Sequence, residues 1–172
     1  RKECARKLEK KITQGIKSLN MSGATFKINV TLSEQLGPIG RSLVIFQAET
    51  NPGEGFYKIN DIASGGELSR ILLTLRNIIT TSDSISIFFF DEIDTGIGGE
   101  TANLIAKKLK DLSQKSQILA ITHLAQIAKV TDKLIYVDKK SYAKDSSLRT
   151  ISFVSDISDE GRKKVIDQLA GL

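Results

Sequence analysis

The sequence of 172 residues holds one cysteine, one histidine, two prolines and no tryptophan, and each scarcity removes a class of protein. A single thiol, Cys4, cannot close a disulfide within the chain, so a reduced cytoplasmic compartment is expected. With one histidine beside that one cysteine, a Cys/His zinc cluster is excluded for lack of members. No apolar run approaches the roughly 18 residues that a membrane span needs. The basic N-terminus has no apolar stretch behind it, so neither export nor a membrane partner is expected. Three tyrosines and no tryptophan leave the chain without the interleaved aromatics that stack single-stranded bases. No G-x-x-x-x-G-K-[ST] occurs: Gly37-Pro38-Ile39-Gly40-Arg41-Ser42 has the wrong spacing and no lysine after its second glycine. A phosphate-cradling loop of the NTPase kind is therefore absent. The chain starts at Arg1 without an initiating methionine, from which a fragment of a longer chain is expected.

What is present suits one ordinary globular domain: 40% hydrophobic and 26% charged residues. A chain of this length buries roughly 70% of the surface its unfolded form exposes, enough for a core without staples. The net charge of +5 is local, because residues 1 to 17 carry seven basic and two acidic side chains while the remainder is neutral. Such a segment is either a solvated helix face or a phosphate-contacting one.

Hydrophobic spacing supplies the elements. Ala5, Leu8, Ile12, Ile16 and Leu19 draw one stripe along a helix of about 20 residues, narrow enough to fit the end of a coiled-coil arm better than a core helix. Phe26, Ile28, Val30 and Leu32 alternate with polar residues as a half-buried strand, and Leu43 to Ala48 reads as its antiparallel partner beyond a Gly-Pro turn. From Ile62 onward strands alternate with helices, the signature of an α/β fold with a mostly parallel sheet. Helices are expected over Gly65 to Thr80, Glu100 to Leu112, Ala125 to Lys129 and Ser158 to Ala170. Strands are expected over Ile85 to Phe90, Gln117 to Thr122, Lys133 to Val137 and Leu148 to Val154, with a polar loop from Lys139 to Ser147. The wholly apolar run ending in Phe88, Phe89 and Phe90 calls for helices on both faces of its sheet, which makes these rings core.

Three segments carry chemistry. Ala63-Ser-Gly-Gly-Glu-Leu-Ser-Arg70 opens a helix with two glycines, where N–H donors and a partial positive charge favour a phosphate. The same letters contain a capping box, Ser64-x-x-Glu67, that would satisfy those donors internally. The glycines argue for more than capping, because each weakens a helix by roughly 1 kcal/mol relative to alanine. Asp91 and Glu92 stand at the carboxyl end of the apolar strand, where open α/β sheets place ligands. One acid there can hold Mg²⁺ through water while the next orients or deprotonates an attacking water, or the pair simply enters solvent. The glycine-rich turn Asp94 to Gly99 either approaches another backbone or only turns. His123, the sole histidine, follows a second strand and is either a hydrogen-bonded bystander or a reacting group at the same sheet edge.

In order, these segments resemble the C-terminal lobe of ATP-binding-cassette ATPases of the SMC kind, within which the likeness is to members acting in bacterial DNA double-strand-break repair. Ala63 to Arg70 is similar to the signature motif, Phe88-Phe-Phe-Asp-Glu-Ile-Asp-Thr-Gly-Ile-Gly-Gly99 to Walker B with its D-loop, and Thr122-His-Leu-Ala-Gln-Ile127 to the switch-histidine segment. Asn51-Pro-Gly-Glu54 and Gln168-Leu-Ala-Gly-Leu172 are also similar. Many cassette ATPases have Asp where Gly98 stands.

The resemblance implies residues 1–20 as the end of a coiled-coil arm and residues 21–172 as the lobe. It also implies that ATP is held with Mg²⁺ between two heads of a homodimer, with the missing phosphate loop (Walker A) in an N-terminal lobe. Ser64, Gly65, Gly66 and Glu67 would form the signature site for ATP on the opposite subunit, with Ser64 and Gly66 touching its γ-phosphate. Asp91 would serve Mg²⁺, Glu92 would activate water and His123 would sense the γ-phosphate. DNA would be the partner of the whole protein, in the cytoplasm and on the nucleoid when active. Two rivals stand beside this reading: a transporter-type cassette ATPase, and an assembly module that pairs without hydrolysis.

Overall fold

A computed structural model describes residues 1–38, 40–62, 64–79, 87–144 and 147–171. Ala63, Thr80, Ile85, Ser86 and Leu172, which belong to expected elements or motifs, lie outside the described residues. The chain divides into two compact units, Arg1–Thr122 and His123–Leu172.

The first unit opens with α1 (Lys2–Lys17). Asn20, in the left-handed region at φ 60°, turns the chain after it. A three-stranded antiparallel sheet follows in the order β1 (Thr25–Gly37), β2 (Gly40–Glu49) and β3 (Tyr57–Lys58), with Phe26 opposite Ala48 and Ile28 opposite Phe46. The α1 stripe is core: Ile12, Ile16 and Ala5 bury with Phe26, Ile28, Ala48 and Ile71, and Leu8 packs against them. The spacing read as an arm seam is thus spent on the sheet and on the next helix. β1 is an edge strand, and α1 closes part of its edge. Phe26 N–H donates to Thr13 Oγ1 (3.1 Å) and Ile28 N–H to Glu9 Oε1 (2.7 Å), which removes donors an open edge would expose.

After a 3-10 turn at Ile59–Asp61 come α2 (Gly65–Ile79), β4 (Ile87–Phe90), α3 (Gly99–Ser113) and β5 (Gln117–Ala120). β4 and β5 pair in parallel, Phe90 opposite Ala120, and Ile121 N–H extends the ladder to Phe90 O at 3.0 Å. Among the described residues the parallel pairing is confined to this β4–α3–β5 crossover, because the other strand pairs join by hairpins or short connections that allow only antiparallel neighbours. The expectation of a mostly parallel sheet narrows accordingly. α2 approaches the Phe88 face, where the Arg76 guanidinium lies 5.0 Å from the ring centroid. The opposite face is open: Ile87, Phe89, Leu119 and Ile121 are all exposed, Phe89 by 62%. Only Phe90 of the three phenylalanines is buried, so the reading of all three as core is corrected. Alternation along a strand sends Phe89 to the face opposite Phe88 and Phe90, where it is exposed.

The second unit contains α4 (Ala125–Val130), β6 (Leu134–Lys144), β7 (Ser147–Ile157) and α5 (Asp159–Ala170). Its core joins Ala125, Ala128 and Ile166 with Leu134 and Leu169. Arg162 donates from α5 to the carbonyls of Ala128 (3.1 Å) and Thr131 and to Thr131 Oγ1 (2.8 Å), a cationic cap on the end of α4. The hairpin β6–β7 pairs from Leu134 opposite Ile157 to Lys144 opposite Ser147. The polar loop expected at Lys139 to Ser147 is therefore largely strand. Lys139, Lys140 and Ser141 are exposed, and Ser141 pairs across the ladder with Thr150 at 3.0 Å; Asp145 and Ser146 lie outside the described residues.

Candidate functional site

The glycine pair opens α2 as its spacing predicts. Ser64 Oγ accepts the Glu67 N–H at 3.4 Å, and Leu68 N–H donates to Ser64 O at 3.0 Å. That is one half of a capping box, leaving the helix terminus open to another anion. The glycines do meet something closely, and it belongs to the same chain. A Cβ at Gly65 would stand 2.7 Å from Glu92 Oε2; one at Gly66 would stand 2.8 Å from Glu92 O and 3.2 Å from Thr95 Cβ.

The turn they meet is built from the end of β4. Asp91 and Glu92 are exposed, whereas Ile93 and Asp94 are buried. Glu92 N–H donates to Asp91 Oδ1 at 2.9 Å, and Thr95 N–H returns to Glu92 O at 3.1 Å. Glu92 itself is left-handed at φ 55°, a conformation that costs a side-chain-bearing residue about 1 kcal/mol or more. Two side chains of α2 hold the turn in place: Ser69 Oγ donates to Asp91 O at 2.7 Å, and Arg70 Nη1 donates to Thr95 O at 2.9 Å. Burial pushes the Arg70 guanidinium below its ordinary value, and the charge of Glu67 offsets part of the shift. Farther along the turn, Asp94 Oδ2 accepts the Thr122 hydroxyl at 2.5 Å, and Gly96 O accepts Asn20 Nδ2 at 3.3 Å.

The glycines of this turn divide by role. Gly96 (φ 70°) and Gly99 (φ 53°) occupy left-handed positions that favour glycine. Gly98 is extended, precedes α3, and has open space where a Cβ would stand. His123 is the first residue of the second unit, exposed and two residues before α4.

No family model matches the chain. The DNA repair protein RecN of Rickettsia bellii is 38% identical over 144 residues, 84% of this chain. RecN of Bacillus subtilis is 34% identical over 184 residues, 98% of this chain. The chain belongs to the RecN family. It spans 26% of the first relative and 31% of the second, roughly a quarter to a third of their lengths. Among solved structures, the Smc head domain with a coiled coil and joint from Pyrococcus yayanosii matches with a TM-score of 0.56. The two are 21% identical over 95% of this chain and 29% of that one. The fold is accordingly α/β and that of part of an Smc head domain.

In this RecN-family chain the donor set fits a magnesium nucleotide in part. Asp91 offers an exposed carboxylate at a strand end, the kind of ligand of which Mg²⁺ takes one or two beside waters and phosphate oxygens. Sequence reasoning missed Arg70. Its signal was positional: Gly66, Arg70, Ile71, Leu73 and Thr74 form the buried side of α2, so a cation stood at a core position and required acceptors.

Proposed function

We propose that the chain is the C-terminal lobe of the ATPase head of a RecN-type DNA double-strand-break repair protein, working as a homodimer that engages its heads around ATP and Mg²⁺. The observation that carries the reading is the juxtaposition of the α2 N-terminus with the acidic end of β4, held by Ser69 and Arg70. A helix terminus suited to phosphate and a carboxylate pair suited to Mg²⁺ and water are the two halves of a phosphoryl-transfer site. In a sandwich of two heads, Ser64 and Gly66 bind the γ-phosphate on the opposite subunit, with Gly65 and Glu67 completing the signature site. Asp91 holds Mg²⁺ through water, Glu92 takes the proton of the attacking water, and His123 contacts the γ-phosphate. The Walker A loop comes from an N-terminal lobe of the same protein, and the open apolar face of β4 and β5 supports that assignment. Residues 1–20 are the returning end of the arm and residues 21–172 the lobe, in a bacterial cytoplasmic protein that acts on DNA without a membrane partner.

Glu92→Gln in the full-length protein tests this reading. The amide keeps the shape and loses the basicity, so ATP-bound paired heads should accumulate while hydrolysis falls by about 10²- to 10⁴-fold. Hydrolysis at the parental rate would remove Glu92 from the base role.

A further inference from the structure

We infer that Gly65 is a positioning residue for Glu92 of its own chain: the side of α2 left bare by the missing Cβ is the seat of the Glu92 carboxylate. The contact stands on geometry alone; its catalytic consequence rests on the proposed function. A Cβ at Gly65 would lie 2.7 Å from Glu92 Oε2 and 3.6 Å from its Cδ, so the carboxylate fills the space that any other residue would occupy. The backbone that delivers it is fixed from several sides. Glu92 N–H is held by Asp91 Oδ1 at 2.9 Å, Glu92 O by Thr95 N–H at 3.1 Å, and Thr95 O by Arg70 Nη1 at 2.9 Å. Gly66 lets the same turn come close, its absent Cβ lying 2.8 Å from Glu92 O. A left-handed residue bearing a side chain, held by this many partners, is strain retained for a purpose. The direction of the carboxylate is that purpose: the N-terminal end of α2 favours negative charge, so Glu92 is drawn to one orientation.

The signature glycines thereby have two tasks. In trans they leave backbone free for the phosphate on the opposite head; in cis they seat the group that activates water. The tasks separate experimentally. Isotope-labelled chain examined by NMR tests the contact: Gly65→Ala should shift the Glu92 side-chain carboxyl resonance and the amides of residues 92–95, and Glu92→Ala should shift the Gly65 and Gly66 amides in return. Changes confined to the mutated segment, in whichever variant stays folded, would overturn the proposal. Nucleotide plays no part in this arm, so its result stands even if the full-length protein proves not to be an ATPase.

The consequence is read in full-length mixed dimers. Gly65→Ala alone should lower kcat by roughly 10- to 10²-fold, the scale of a misplaced catalytic group, with KM for ATP little changed. With Glu92→Gln on one chain and Gly65→Ala on the other, the one competent Glu92 belongs to the chain with the altered seat and faces an intact signature, so the rate should fall roughly 10- to 10²-fold below that of the Glu92→Gln/wild-type dimer; placing both substitutions on the same chain reads the trans task alone. A rate equal to the Glu92→Gln/wild-type reference with the substitutions on opposite chains would overturn the cis role.

Discussion

Gly65 and Gly66 are adjacent, share a motif, and should answer differently to the same methyl group. At Gly65 the new Cβ meets the far end of a flexible glutamate, which can swing away; at Gly66 it meets the Glu92 backbone carbonyl and Thr95 Cβ. Overpacking against backbone costs typically 1 to 3 kcal/mol, against about 1 kcal/mol gained from alanine's helix propensity. Urea denaturation of the chain should show Gly66→Ala destabilised by up to about 2 kcal/mol, and more than Gly65→Ala, whose new Cβ meets only a side chain that can move. Equal effects would mean that the turn does not rest on α2 as described. The paired glycines, the capping serine and the Asp91–Glu92 pair were all legible in the sequence, since each is a local pattern with a local cause. What the glycines approach was not legible, because residues 65 and 92 meet only through tertiary packing. The Asp94–Thr122 link is of the same kind, joining two strand ends 28 positions apart.

At the scale of elements, periodicity located α2, α3, α4 and α5 to within a residue or two of their observed bounds. The errors have physical causes. β6 and β7 run well into the segment read as a loop because a hairpin needs no hydrophobic alternation to persist, only ladder bonds and cross-strand pairs such as Ser141 with Thr150. α1 was correctly placed, but spacing reports which face is apolar and not what covers it, and within this chain its stripe is buried with residues of β1, β2 and α2. The polar side of α1 retains its own question. Lys7, Lys10 and Lys11 are exposed, and Lys7 pairs with Glu3 at 2.7 Å across one helical turn, an exposed ion pair worth only a few tenths of a kcal/mol. If this face meets DNA in the full-length protein, converting the three lysines to glutamine should weaken binding and flatten its dependence on salt by up to about 0.9 per lost phosphate contact. An unchanged slope in a salt titration would leave α1 a solvated face.

At the scale of the whole molecule, the most consequential feature is what this chain leaves uncovered. Ile87, Phe89, Leu119 and Ile121 lie on one face of β4 and β5 and all are exposed, although a wholly apolar parallel strand is ordinarily covered on both faces. The sequence carries the same message in chemical form: a glycine-opened helix terminus and an acidic strand end without the loop that cradles a triphosphate. Binding ATP needs several convergent N–H donors and a lysine reaching the β- and γ-phosphates. A single exposed helix terminus contributes only about 0.3 to 1 kcal/mol, too little to hold a hydrated nucleotide. Calorimetry of the chain with Mg-ATP, alone and with the N-terminal lobe supplied covalently or as a separate chain, tests this division most directly. The chain alone should show no tight binding, and binding should return, with head pairing and hydrolysis, once the lobe is present. Micromolar affinity without the added lobe would contradict it.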